Sequence, residues 1–329
     1  MRIFSGIQPT GAKHLGNYIG AISQYVASQD TGDPVICIVD LHSITVAYDP
    51  QELRESTLAL AALLFASGLD PERCILFVQS HNPDHSEAAW LLGSVTSFGE
   101  LRRMTQFKEK AERQEFVAVG LFTYPVLQAA DILLYDTDVV PVGEDQRQHI
   151  ELTRDVAERF NSRYGETFVV PRVEVPEIGA KIMDLQEPTK KMSTTGGTEQ
   201  GTVLMLDPPD VLRKKLKSAV TDSGREVVRG PGKEGIANLI EVLSVATGDK
   251  PEAIEARYSD SGYGDFKADV ADAVVELLRP IQERYQELRG DPAELERLLA
   301  RGAERARAVS GPVLERMVDR MGFVRRPSD

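Results

Sequence analysis

The first half of the chain alternates strand and helix signals, and that alternation restricts the fold more than any other feature. Arg2-Ile3-Phe4-Ser5, Val35-Ile36-Cys37-Ile38-Val39-Asp40 and Ile75-Leu76-Phe77-Val78-Gln79 are short, mostly apolar runs suited to strands buried on both faces. A helical pattern from Pro50 to Gly68 separates the second from the third, and another, about Glu100 to Gln114, precedes a fourth run, Asp138-Val139-Val140-Pro141-Val142. Strands joined through helices pair in parallel, so the expected fold is an α/β sheet covered by helices. In such sheets ligands bind beyond the carboxyl ends of the strands, where Gln8, Asp40 to His42, Gln79 and Gly143 to Gln146 fall.

After about Thr198 the strand signal fades. Helical periodicity takes over in Val211 to Val220, Ile236 to Thr247, Phe266 to Leu288 and Glu294 to Met321, with stop and start chemistry at Asp207-Pro208-Pro209-Asp210 and Gly290-Asp291-Pro292. The expected organisation is a Rossmann-like parallel-sheet domain over 1–198 and an all-helical domain over 199–329.

No stretch of the 329 residues approaches the roughly 18 to 20 apolar positions of a membrane helix, and the N-terminus lacks a signal-peptide layout. The expectation is a soluble, cytoplasmic protein with no membrane partner. A net charge of −13 argues against holding nucleic acid, DNA included, by an overall field, so any such partner must meet a local patch. Arg213-Lys214-Lys215-Leu216-Lys217 is the densest basic run, and a solvated helix face explains it as well. Cys37 and Cys74 lack metal-site spacing and read as core thiols.

The first strand runs into Gly6-Ile7-Gln8-Pro9-Thr10-Gly11 and then His14-Leu15-Gly16-Asn17, which opens an amphipathic helix. A helix N-terminus offers amides to phosphates, Gly16 admits close backbone approach, and His14 and Asn17 can donate hydrogen bonds. Far downstream stands the polar segment Lys190-Lys191-Met192-Ser193-Thr194-Thr195. The two segments resemble the H-I-G-H and K-M-S-K-S signatures of class I aminoacyl-tRNA synthetases, and the whole chain is similar to the bacterial tryptophanyl-tRNA synthetases. Met104-Thr105-Gln106-Phe107-Lys108, Ala129-Ala130-Asp131 and Pro141-Val142-Gly143-Glu144-Asp145-Gln146 carry that resemblance, with Ser218 to Ser223 and Gly262-Tyr263-Gly264 in the helical half.

The resemblance implies an enzyme that activates L-tryptophan with ATP and Mg2+ and charges tRNA(Trp). By it, Asp131 accepts the indole N–H, Tyr124 and Gln146 hold the ammonium, and Gln128 faces the ring where many relatives have methionine. Phe4, Val140 and Val142 form the apolar walls, with His42 either a pocket residue or a structural histidine. Gln8, Pro9, Thr10, Gly16, Asn17, Gly143, Glu144, Asp145 and Ile182 line the ATP site together with Lys191, Met192, Ser193, Thr194 and Thr195. His14, Asn17, Lys110 and Lys191 carry the catalysis. No protein-held metal is expected, since Pro83 breaks the helical spacing of His81 and His85. The family also implies a homodimer, with an interface segment about 100–120 and Phe116 to Leu121 as a candidate. The chain departs from the family pattern at Thr194, where a second lysine is missing; Lys190 is the neighbouring charge expected to compensate in part, from a different face of the loop. A tyrosine-charging relative and a non-catalytic nucleic-acid-binding paralogue are the competing functions.

Overall fold

The computed structural model describes residues 1–112, 115–143, 146–174, 181–194 and 196–324, with the Lys110 side chain outside that description. Five parallel strands form one sheet in the order β3-β2-β1-β4-β5: β1 (Arg2–Ile7), β2 (Asp33–Ile38), β3 (Ile75–Val78), β4 (Val139–Pro141) and β5 (Arg172–Glu174). All four expected strands are present. The fifth carried no signal, because Val173 is its one apolar residue and Arg172 and Glu174 are exposed.

From β1 to β3 the chain forms α1 (Leu15–Asn17), a π-helical turn (Tyr18–Ile22), α2 (Ser23–Ser28), α3 (Asp40–Ser43) and α4 (Pro50–Ala66). From β3 to β5 it forms α5 (Asp84–Gly93), α6 (Phe98–Arg103), α7 (Thr105–Ala111), α8 (Val119–Leu133) and α9 (Arg147–Tyr164). Then follow α10 (Pro209–Lys217), α11 (Glu234–Thr247), α12 (Pro251–Arg257), α13 (Tyr263–Gly290) and α14 (Pro292–Arg320). Two starts are written locally: Asp49 and Asp291 each accept the amide three residues on, with Pro50 and Pro292 at the first helical position.

Successive strand residues face opposite ways, and here they divide into two cores. Ile36, Ile38, Leu76 and Val78 pack with α4 and with α10, α11 and α13; Phe4, Val35, Cys37 and Phe77 pack with α5, α8 and α9. The first core runs without a break from Leu60 and Leu64 to Leu212, Ile240 and Phe266, across the position where the strands end. Cys37 and Cys74 are buried free thiols, as expected.

α14 covers the sheet edge that β3 would otherwise expose. Arg305 donates to the Cys74 carbonyl at 2.7 Å, and a β-carbon on Gly302 would fall 1.9 Å from the Leu76 carbonyl oxygen. Helix propensity alone would make Gly302→Ala stabilising by about 1 kcal/mol. The backbone clash reverses the sign, and the substitution should lower stability by about 1–3 kcal/mol, read from the urea-unfolding midpoint.

Candidate active site

The strand order reverses between β1 and β4, and the carboxyl ends of these strands open onto a cavity of about 500 Å3. Phe4, His42, Tyr124, Gln128, Asp131, Val140, Val142 and Gln146, the side chains expected for the amino-acid pocket, all line it, together with Gln8 and Gln106. Tyr124, Gln128 and Asp131 reach it from one stripe of α8, spaced i, i+4 and i+7.

Asp131 is 1% exposed at the cavity's inner wall. An isolated carboxylate there would carry a large desolvation cost, and three side chains remove it. Its Oδ1 accepts from Gln79 Nε2 at 2.6 Å and bonds His85 Nδ1 at 2.7 Å; its Oδ2 bonds His42 Nε2 at 2.7 Å. Burial pushes the Asp131 pKa up, but His42 and then His85 outweigh it and hold it at about 2. The group is therefore ionised at every physiological pH. Its contribution to stability is present above the ordinary carboxylate pKa and is lost only as pH falls through about 2.

His85 escaped the sequence reading, which considered it only as half of a metal pair with His81. It opens α5 behind Pro83, and its Nε2 lies 2.8 Å from the Tyr135 hydroxyl. With Nδ1–H given to Asp131, Nε2 accepts from Tyr135, whose oxygen in turn accepts from Asn82 Nδ2 at 3.2 Å. Asn82 also donates to Ser310 on α14 at 2.9 Å, so the polar chain behind Asp131 reaches the last helix. Separations of 46 residues (His85 to Asp131) and 228 residues (Asn82 to Ser310) in sequence hid these contacts. His42 proves to be both pocket wall and partner of Asp131. Tyr124 is hydrogen-bonded to His149 at 2.7 Å, and burial raises its pKa to about 12, so it stays a neutral phenol.

The second half of the site joins the two polar segments. His14 caps α1, its amide donating to Asn17 Oδ1 at 3.0 Å, and Leu15 N bonds the Val203 carbonyl at 2.8 Å. A β-carbon on Gly16 would fall 3.0 Å from His14 Nδ1 and 3.7 Å from Ile182, so the glycine allows the imidazole to lie against the backbone. Buried Met192 and Ile182 pair through a 3.0 Å backbone bond, and Lys191 stands exposed beside them. Gly11, at φ +63°, faces Thr194: its missing β-carbon would lie 3.5 Å from Thr194 Oγ1. The Gln8-Pro9-Thr10 turn is stapled by Lys13, whose Nζ donates to the Gln8 and Thr10 carbonyls at 3.0 and 2.9 Å.

Burial, then Lys191 and Lys13, lower the His14 pKa to about 4. At neutral pH it is an uncharged imidazole. Lys190, expected to stand in for the missing lysine, is ion-paired with Glu187 instead. Gly143 follows β4 and accepts the Gln146 amide at 3.0 Å. Glu144, Asp145, Thr195 and the Lys110 side chain lie outside the described residues. The basic run of α10 is mostly committed: Lys215 is buried against Asp207 at 2.7 Å, and Arg213 pairs with Asp272 at 2.8 Å.

Comparison with known proteins agrees with this geometry. The profile of the family "tRNA synthetases class I (W and Y)" matches residues 1–279. The tryptophan–tRNA ligase of Mycobacterium leprae is 53% identical over 331 residues, covering 98% of this chain and 96% of that one. The structure of tryptophanyl-tRNA synthetase from Mycoplasma pneumoniae superposes with a TM-score of 0.86 at 35% identity, covering 98% of each chain. That of the Campylobacter jejuni enzyme complexed with ADP and tryptophan gives 0.87 at 32% identity, covering 98% of this chain and all of the other. A parallel sheet with its cavity at the switch point, a buried carboxylate in that cavity and matches along almost the whole chain converge: the chain belongs to the class I tRNA synthetases for tryptophan and tyrosine, and within them to the bacterial tryptophan–tRNA ligases.

Proposed function

We propose that the chain activates L-tryptophan with ATP to tryptophanyl-AMP and pyrophosphate and passes the amino acid to tRNA(Trp), with Asp131 selecting the indole. One observation carries the assignment of selector. Among the described residues Asp131 Oδ1 has two protein partners but Oδ2 has one, and a carboxylate oxygen accepts about two hydrogen bonds. The open position of Oδ2 belongs to a ligand N–H. Phenylalanine has no such group, and tyrosine carries its polar atom elsewhere; each leaves the buried acceptor short of a partner. Phe4, Val140 and Val142 supply apolar walls, while Tyr124 and Gln146 meet the ammonium.

The tryptophan carboxylate attacks the α-phosphate of ATP, and negative charge moves onto the leaving pyrophosphate. Lys191, His14, Asn17 and Lys110 stabilise that charge, and the 8–11 turn, Gly16, Ile182 and Met192 position the nucleotide. Even as a neutral imidazole, His14 keeps one ring N–H to donate to a phosphate oxygen. Among the described residues no group of three or more His, Cys, Asp or Glu side chains is placed to hold a metal. Mg2+ would arrive on the ATP phosphates and would neutralise departing charge there. The helices beyond 199 meet the tRNA anticodon, and the reaction takes place in the cytoplasm. The test is charging of tRNA(Trp) with labelled tryptophan by the purified protein; no charging of that tRNA, with the protein folded, would contradict the reading.

A homodimer accompanies this function. Trp90 is 82% exposed and Phe116 81%, and Trp90, Ile44 and Val119 line one apolar depression shared with the segment that follows Phe116. Exposed apolar surface of this kind marks an interface. Sedimentation velocity should show a dimer for the wild type and a shift to monomer for Trp90→Glu.

A further inference from the structure

The chain on both sides of Lys191–Thr194 closes on one buried side chain that the chemistry above does not use. Asp184 is 1% exposed. Its Oδ1 accepts the amides of Gln186 and Glu187 at 2.8 and 3.0 Å, and its Oδ2 accepts the Thr198 amide at 2.9 Å. The Thr198 hydroxyl lies 3.3 Å from Oδ1 and itself accepts the Gly201 amide at 2.8 Å. The Asp184 amide donates to the Lys190 carbonyl at 2.8 Å. One carboxylate thus ties the stretch entering the segment to the loop leaving it. Burial would raise its pKa; the amides of Thr198, Gln186 and Glu187 outweigh that and hold it below the ordinary value.

The surrounding backbone leaves room for this carboxylate. A β-carbon on Gly201 would fall 1.8 Å from Asp184 Oδ1, and one on Gly197 would fall 2.9 Å from Oδ2 and 2.4 Å from the Ser193 carbonyl. That Ser193 carbonyl accepts the Gly197 amide and the Thr202 hydroxyl, both at 3.1 Å, so the segment's own backbone is held by neighbours of the anchored loop. A segment with threonine at 194 has one fewer cation to be drawn into place by phosphates. Its order must come more from the protein, and a prearranged segment loses less entropy on binding.

We infer that Asp184 is a positioning residue for the phosphate side of the reaction, its carboxylate presetting Lys191–Thr194 in the arrangement that receives ATP. The inference rests on the proposed function for what the segment binds. In the full-length protein, Asp184→Asn puts an amide donor among amide donors. It should lower kcat for tryptophan-dependent pyrophosphate exchange by about 10²-fold and raise KM for ATP, with KM for tryptophan within about twofold. Without substrates, trypsin should cut after Lys190 and Lys191 about tenfold faster than in wild type. Gly201→Ala, which crowds the same carboxylate from the opposite side, should reproduce both changes, and the double variant should be less than multiplicative. Unchanged cleavage and unchanged kcat in both variants would overturn the inference. So would loss of the cooperative melt and of tryptophan binding together, which would make Asp184 a residue of the general fold. The trypsin readout needs no substrate, so a wild type without exchange would sink the functional reading while leaving the anchor separately measurable.

Discussion

Asp131→Asn should lower kcat/KM for tryptophan by about 10³-fold while leaving KM for ATP within about twofold. The size follows from what the carboxylate does in its surroundings. It is buried and ionised and meets Gln79, His85 and His42, which donate to it. An amide in its place offers one acceptor oxygen and an NH2 group, so at least one buried donor faces another donor, and the acceptor position meant for the ligand is lost or turned away. Discrimination should collapse with it: the preference for tryptophan over phenylalanine should shrink far more than binding of the nucleotide. Equilibrium dialysis with labelled tryptophan and initial rates with ATP separate the two effects. Retention of kcat/KM within tenfold would mean that the apolar walls, and not the carboxylate, choose the substrate.

Lys191→Met should lower kcat for pyrophosphate exchange by about 10²- to 10³-fold, the range for one preorganised charge-stabilising donor, with KM for tryptophan unchanged. Lys191 is exposed and among the described residues makes no ion pair, so the loss is one of chemistry and not of folding. The same substitution has a second signature. Lys191 is one cause of the depressed His14 pKa, so its removal should raise that pKa from about 4 toward, but short of, the ordinary value, because burial, the larger cause, remains. An NMR titration of the His14 ring checks the sign; an unmoved pKa would place the Lys191 ammonium elsewhere in solution.

The strands that sit deepest were the ones legible in sequence. β2 and β3 are buried on both faces and so read as unbroken apolar runs, whereas β5 lies at an edge with two charged residues out of three and leaves no pattern. The wall of the switch-point cavity was legible because Tyr124, Gln128 and Asp131 share one helical stripe, and because a carboxylate in an apolar helix demands a partner. The identity of those partners was not. Gln79, His85 and His42 come from three other segments, and only the folded sheet brings them within 2.7 Å of Asp131. Lys215 was read as part of a surface charge run, since nothing local says that Asp207 and the Thr202 carbonyl would take its ammonium inside. Asp184 was silent for the same reason: its ligands are backbone amides, which every residue has, and its signature is the pair of glycines that make room for it.

The most direct test of the account is ATP–pyrophosphate exchange by the purified full-length protein with Mg2+ and, in parallel, tryptophan, tyrosine or phenylalanine. Exchange with tryptophan, and at most trace exchange with the other two, is the predicted result. Exchange that is equal across the three amino acids, or tyrosine in first place, would contradict the assignment of Asp131 as selector, and no exchange with any of them would contradict the activation step itself.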